Sequence, residues 1–223
     1  AIKSAYGRGG GQMEVRLEGY IIDVVRENQL IEIQTQQFNA IRRKLFELIE
    51  RHDVVLVYPV ARQKWLLKLP QDENGRTTRR KSPKQGEPFQ VFEELVSFPE
   101  LLTHPNFTLE ILMVDVEEVR CYSGKHRWRQ NGWKTVEQRL LKIVETFTIQ
   151  QAWDLWHLLP QTLPVRFTTA DLHECTGMPS RLAQTAAYCL NKAGTVRQIG
   201  KRGRYHLYER IIEESQRSPT EEV

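Results

Sequence analysis

The sequence predicts an α/β (α+β) protein, with a mixed sheet in its N-terminal part and a smaller helical part with a hairpin at its C-terminal end. Three observations carry this. The run Tyr20 to Gln34, YIIDVVRENQLIEIQ, sets two apolar, β-branched segments around the polar turn Glu27-Asn28-Gln29, the pattern of a tight hairpin. Ile41, Leu45, Leu48 and Ile49 recur at helical spacing, and the apolar run Val54 to Val60 (VVLVYPV) follows as a buried strand. The last third changes character, to short helices and a basic hairpin.

In chain order, Gln12 to Leu17, Tyr20 to Arg26 and Leu30 to Gln34 read as a three-strand meander. Gly7-Arg8-Gly9-Gly10-Gly11 precedes it as linker; it lacks the strand and spacing of a dinucleotide fingerprint. Asn39 to His52 reads as a helix, with Arg42, Arg43, Lys44 and Glu47 around its polar side. The buried strand ends at Pro59, and Lys64 to Leu69 (KWLLKL) follows as a separate edge strand. Gln71 to Pro88 is a basic, mobile loop, Phe89 to Phe98 a short helix and Phe107 to Val119 another strand. From Arg120 to Lys142 there are seven Lys/Arg against one acid, Glu137, with Trp128 and Trp133 interleaved. That stretch is either a surface strap for nucleic-acid backbone or a solvated turn leading into a helix.

Ile149 to Leu159 (IQQAWDLWHLL) reads as an apolar helix ended near Pro160. Thr168 to Asp171 has the hydroxyl and early acid of a helix start, and Gly177 breaks that helix. Pro179 to Ala193 is a second helix, stopped by Gly194. Thr195 to Ile199, the turn Gly200-Lys201-Arg202-Gly203, and Arg204 to Tyr208 form a hairpin. The expected boundaries are 1–134, 135–213 and a polar tail, 214–223.

The chain has 223 residues, 40% hydrophobic and 27% charged, the composition of an ordinary soluble protein. A net charge of +4 permits an anionic partner without requiring one. Cys121, Cys175 and Cys189 are scattered, so neither a disulfide scaffold nor a zinc site is indicated. No apolar run approaches a membrane span and no signal peptide is visible, so the expected location is cytoplasmic. No Ser-His-Asp grouping or phosphate-binding glycine loop stands out.

Each strand of the first hairpin carries an acid where an apolar residue is expected: Asp23 and Glu32. One buried, unpaired carboxylate costs several kcal/mol, roughly, so two within fifteen residues need a reason. A turn at Glu27-Asn28 sets Asp23 opposite Glu32; a turn at Asn28-Gln29 sets it opposite Gln34. Either register puts Asp23, Glu32 and Gln34 on one face. Facing carboxylates repel unless a cation lies between them, and hard oxygen ligands suit Mg²⁺. The alternative is a sheet whose acids pair with Arg16, Arg42 or Arg43.

Asp, eight residues, then Glu-x-Gln resembles the signature of the PD-(D/E)XK, restriction-endonuclease-like nucleases, with Gln34 in place of the usual lysine. The order βββαβ over roughly the first seventy residues is similar to that superfamily's core. The resemblance implies a metal site of Asp23, Glu32 and the Ile33 carbonyl, holding Mg²⁺ or Mn²⁺. It implies a catalytic set of Asp23, Glu32, Gln34 and Lys44, with Lys44 or Arg43 lending the missing charge from the following helix. Such nucleases open with a helix, for which Ala1 to Tyr6 leave a short segment. Glu14 and Glu18 lie near the sheet and are expected on its surface.

The C-terminal order, across Ile149 to Glu209, resembles a winged helix-turn-helix. The resemblance makes Pro179 to Ala193 the recognition helix, with Arg181, Gln184, Thr185 and Tyr188 on one face for base edges or phosphates. Lys201, Arg202 and Arg204 of the wing would hold phosphates, with Lys192 and Arg197 extending the patch. The expected partner is double-stranded or branched DNA, bound by a homodimer or a larger assembly. The whole reads as a Mg²⁺-dependent endonuclease. The rivals are a non-catalytic DNA-binding regulator or assembly subunit on a degenerate nuclease fold, and an RNA-processing factor.

Overall fold

The computed structural model describes residues 2–8, 10–71, 75–124 and 132–211. The fold is α+β with a mixed sheet. Helix α1 (Ile2–Gly7) precedes the meander β1 (Gln12–Leu17), β2 (Tyr20–Arg26) and β3 (Gln29–Ile33). Helix α2 (Phe38–Ile49) leads to β4 (Asp53–Lys68) and β5 (Thr78–Lys81). After α3 (Phe92–Leu95) come β6 (Phe107–Tyr122) and β7 (Trp133–Ile149). The chain ends with β8 (Arg166–Thr168), α4 (Thr169–Thr176), α5 (Ser180–Lys192), β9 (Val196–Arg202) and β10 (Tyr205–Arg210). Among the described residues one sheet has the order β1-β2-β3-β4-β6-β7, with β5 also paired to β4, and a second has the order β8-β10-β9.

The chain divides into two compact units, and neither is continuous in sequence. The first comprises Ala1–Thr35, Val55–Pro88 and Glu110–Phe147; the second comprises Gln36–Val54, Phe89–Leu109 and Thr148–Val223. Three of the five limits between them fall inside β4, β6 and β7, and the expected cut between 134 and 135 also lies within β7.

In the first unit, Val24, Ile31, Val55, Val57, Leu112, Val114 and Val116 form a core across β2, β3, β4 and β6. Ile2 and Tyr6 of α1 pack against it, four residues apart on one helical face. Burying each such aliphatic side chain contributes about 1.5–3 kcal/mol. Strand β4 does not stop at Pro59 but runs through it to Lys68, so KWLLKL continues the buried strand. Proline has no N–H for a ladder. Before it, Gln34 N–H bonds the Val57 carbonyl at 2.9 Å; after it, Gly86, Ser82 and β5 take over pairing with β4. Pro59 thus stands where one neighbour gives way to the next. Part of the expected basic loop is strand β5, with Trp65 paired to Lys81 and Lys68 to Thr78. The expected strap is also largely strand: its ends belong to β6 and β7, while residues 125–131, with Trp128, lie outside the described residues.

In the second unit, α2 buries Phe38, Leu45, Leu48 and Ile49. Phe38 stacks on Phe98 at 5.4 Å, and Phe98 meets Phe107 edge-on at 6.4 Å. Both ends of α2 are capped from elsewhere. Glu94 accepts a bond from Phe38 N–H at 3.0 Å, and Asn106 donates to the Ile49 carbonyl at 2.9 Å. Ile149 belongs to β7, and Ala152–Leu158 is a 3₁₀ segment, not the expected α-helix. Its first turn closes on Asp154, which accepts from Gln150 and Gln151 N–H. Helix α4 starts on a reciprocal Thr168–Asp171 capping box and ends at Gly177 with φ 72°. Helix α5 buries Leu182, Ala183, Ala186, Ala187, Cys189 and Leu190, and packs against α3. Phe167 lies between Trp156 and Tyr208, at 6.1 and 6.0 Å, and ties the 3₁₀ segment to the small sheet.

Candidate functional site

The β2–β3 register pairs Val24 with Ile31, Val25 with Leu30 and Arg26 with Gln29. This is the Glu27-Asn28 turn, and it sets Asp23 opposite Glu32. Here side chains take bonds that a ladder would give to carbonyls. Asp23 N–H donates to Glu32 Oε1 at 3.3 Å, and Ile33 N–H donates to Asp23 Oδ2 at 2.9 Å. The carboxylates are wedged between two strands, Glu32 with 6% of its surface exposed. Ile33 and Gln34 follow on the same segment, both half-buried.

Two further residues join the pair. In the β1–β2 register Met13 faces Val24 and Val15 faces Ile22, which sets Glu14 opposite Asp23. Glu14 is held at φ 57°, a left-handed conformation that costs a non-glycine residue roughly 1–2 kcal/mol. Lys3 Nζ stands 2.7 Å from Asp23 Oδ1 and 3.5 Å from Glu14 Oε1. The hydrogen bond to Asp23 and the nearby charges raise the Lys3 pKa, so its ammonium stays protonated. Helix α1 is also fixed through Tyr6, whose hydroxyl donates to Glu110. Burial and then Glu110 push that phenol well above its usual range. Beside Lys3 lies a cleft of about 450 Å³, lined by Ile2, Ile33, Thr35, Gln138 and Leu140 among others.

Glu14 is exposed, as the sequence led one to expect, and the turn arithmetic applied to Glu18-Gly19 sets it opposite Asp23. Nothing in the sequence marked Lys3, because its role is a contact across 20 residues. Lys44 is half-buried on α2, in the second unit. Arg43 pairs with Glu47 at 2.7 Å, and Arg42 with Glu100 at 2.8 Å, both within that unit.

Among the described residues no group of three or more His, Cys, Asp and Glu gathers tightly enough to hold a metal by itself. Mg²⁺ asks for less: it keeps several waters and is held by one or two carboxylates. Each carboxylate offers about four lone-pair positions, so the backbone amide it accepts does not by itself exhaust it. Asp23 and Glu32 are hard oxygen donors of the type such an ion takes, and Lys3 already holds Asp23 Oδ1 at 2.7 Å.

On α5, Arg181, Gln184 and Tyr188 are exposed and Thr185 half-buried. Arg181 and Thr185 line a cleft of about 520 Å³ with Glu93 and Val96 beside α3. The Thr185 hydroxyl donates to the Arg181 carbonyl at 3.1 Å. At the β9–β10 hairpin Lys201 and Arg204 are exposed, Arg204 over the Tyr205 ring. Arg202 is ion-paired with Asp171, and Arg197 with Glu209 at 2.5 Å. Cys189 is buried, its thiol pushed up to about 12 by burial.

Two comparisons place the chain among known proteins. It is 32% identical over 221 residues, 98% of this chain and 86% of the relative, to a protein of Treponema pallidum (strain Nichols) described as uncharacterized. No solved structure matches it. Residues 1–150, from α1 to the end of β7, match the family described as Domain of unknown function (DUF8091), and the chain belongs to that family.

Proposed function

We propose that this chain is a DNA-binding, Mg²⁺-dependent phosphodiesterase: an endonuclease of the PD-(D/E)XK kind with a winged-helix DNA-reading part. The observation that carries this is the meeting of Asp23 and Glu32 where β2 and β3 part. The βββαβ order supports the nuclease core. The run α4, α5, β9, β10, with β8 completing a three-stranded sheet, supports the winged helix. DNA, duplex or branched, is the proposed partner, bound in the cytoplasm by a homodimer or a larger assembly.

Asp23, Glu32 and the Ile33 carbonyl would hold the ion. When bound, Mg²⁺ acidifies a water and polarises a phosphate oxygen. Gln34 offers a hydrogen bond to orient the attacking water but brings no charge. The water oxygen forms a bond to phosphorus as the bond to the departing sugar oxygen breaks. Exposed Arg181, Gln184 and Tyr188 suit groove contacts, and Lys201 and Arg204 suit phosphates.

The test is cleavage of duplex, branched and single-stranded DNA, and of structured RNA, by the full chain with Mg²⁺ or Mn²⁺. Asp23→Ala and Glu32→Ala should each abolish cleavage and spare DNA binding. A second reading, a non-catalytic DNA-binding subunit, is favoured by the Lys3 ammonium already set against Asp23. Wild-type protein that binds DNA and cleaves nothing under any divalent ion would establish it.

A further inference from the structure

We propose that Lys3, carried on α1, is the cationic catalytic residue of this site and supplies the charge that Gln34 lacks. The inference rests on the phosphodiesterase reading above. Hydrolysis of a phosphodiester builds negative charge on the non-bridging oxygens, and a fixed positive donor nearby lowers that barrier. Position 34 offers only an amide. Lys3 Nζ is 2.7 Å from Asp23 Oδ1, so it stands within one hydrogen bond of a residue that would hold the ion.

The placement of Lys3 is built into the fold. Ile2 and Tyr6, one on each side of it in sequence, pack on the core of the first unit, and Tyr6 bonds Glu110. The side chain keeps 41% of its surface exposed, on the rim of the 450 Å³ cleft. A lysine serving only to fasten α1 would not need to face Asp23 and Glu14 together, in a helix already held at Ile2 and Tyr6.

The water oxygen bonds to phosphorus, and the bond from phosphorus to the departing sugar oxygen breaks. One water proton passes to solvent, and the departing oxygen takes a proton from solvent. Lys3 keeps its own proton and donates a hydrogen bond to the non-bridging oxygen that gains charge.

The experiment compares wild type, Lys3→Met, Lys3→Met/Gln34→Lys and Asp23→Ala as full chains. It measures duplex cleavage with Mg²⁺, Mn²⁺ affinity by calorimetry, and thermal unfolding. Methionine keeps the apolar stem and removes the charge. Lys3→Met should lower kcat about 100-fold with little change in KM, and Gln34→Lys on that background should restore about tenfold. Its Mn²⁺ affinity should equal or exceed that of wild type, since a competing cation has left Asp23. A lysine at position 34 cannot rescue a loss that comes from a loosened α1. Lys3→Met cleaving like wild type, where Asp23→Ala is dead, overturns the role of Lys3 and leaves the phosphodiesterase reading standing. Mn²⁺ binding that appears only after Lys3 is removed makes the ammonium a substitute for the ion and overturns both. Wild type that neither binds Mn²⁺ nor cleaves overturns the underlying reading.

Discussion

Asp23 faces Glu14 on one side and Glu32 on the other, and accepts an amide and an ammonium between them. A leucine there would extend the ladder and bury well. The polar arrangement gives up that packing, which is why the residue stands out against Ile21, Ile22, Val24 and Val25. Turn residues show the opposite kind of tolerance. Glu27, at φ 53°, is the first residue of a two-residue hairpin turn, whereas Asn28 is not left-handed. A turn with positive φ at its first central position prefers glycine there. Glu27→Gly should raise stability by about 0.5–1 kcal/mol, since relief of left-handed strain outweighs the added freedom of the unfolded chain. Thermal unfolding checks it; a lower midpoint would show that the Glu27 side chain has a partner worth more than the strain.

At the scale of elements, helix ends were legible only when their caps were local. The Thr168–Asp171 box lies within four residues and could be read directly. Thr168→Ala removes the acceptor for Asp171 N–H and should cost about 0.5–2 kcal/mol. For a chain of this length that lowers the unfolding midpoint by roughly 2–4 °C per kcal/mol. An unchanged midpoint would mean that unfolding begins elsewhere. The caps of α2 were not legible, because Glu94 and Asn106 are 56 and 57 residues from the atoms they bond. Apolar residues marked the interiors of β4 and β6, but not where they end. Lys64 of β4 bonds Glu118 at 2.5 Å, and Arg79 of β5 bonds Glu117 at 2.7 Å, so Arg79, in a charged stretch that reads as loop, lies in paired strand. Glu118 shows the balance: burial pushes its pKa up, but bonds from Lys64 and Arg120 outweigh that and hold it below the usual value.

For the whole molecule, charge has to be counted after pairing. The basic hairpin near the C-terminus looks uniform in sequence, yet Arg202 is matched by Asp171 and Arg197 by Glu209. On the DNA-binding function proposed above, affinity should therefore depend more on Lys201 and Arg204. Removing both charges in the full chain should weaken binding equally across duplex sequences. It should reduce the log-log salt slope by about 1.8, from about 0.9 per phosphate contact. Fluorescence anisotropy at several salt concentrations measures this. An unaltered slope would move the DNA surface away from the hairpin. The full chain is the right material, because α5 packs on α3 and a fragment starting at Ile149 would strip that contact.

The sequence by itself determined what is local and periodic: the meander, the α2 repeat, the capping box, the two C-terminal helices and their hairpin. It also determined that Asp23 and Glu32 share a face, because side chains alternate with period two and the turn is short. Tertiary structure alone decided which register the turn takes, that β4 runs on through Pro59, and that the units interleave along the chain. It alone brought Lys3 to Asp23. The physical reason is the same in each case. Periodicity and turn geometry act over a few residues, whereas ion pairs, foreign caps and changes of strand partner join residues far apart in the chain, and nothing in local composition encodes the distance between them.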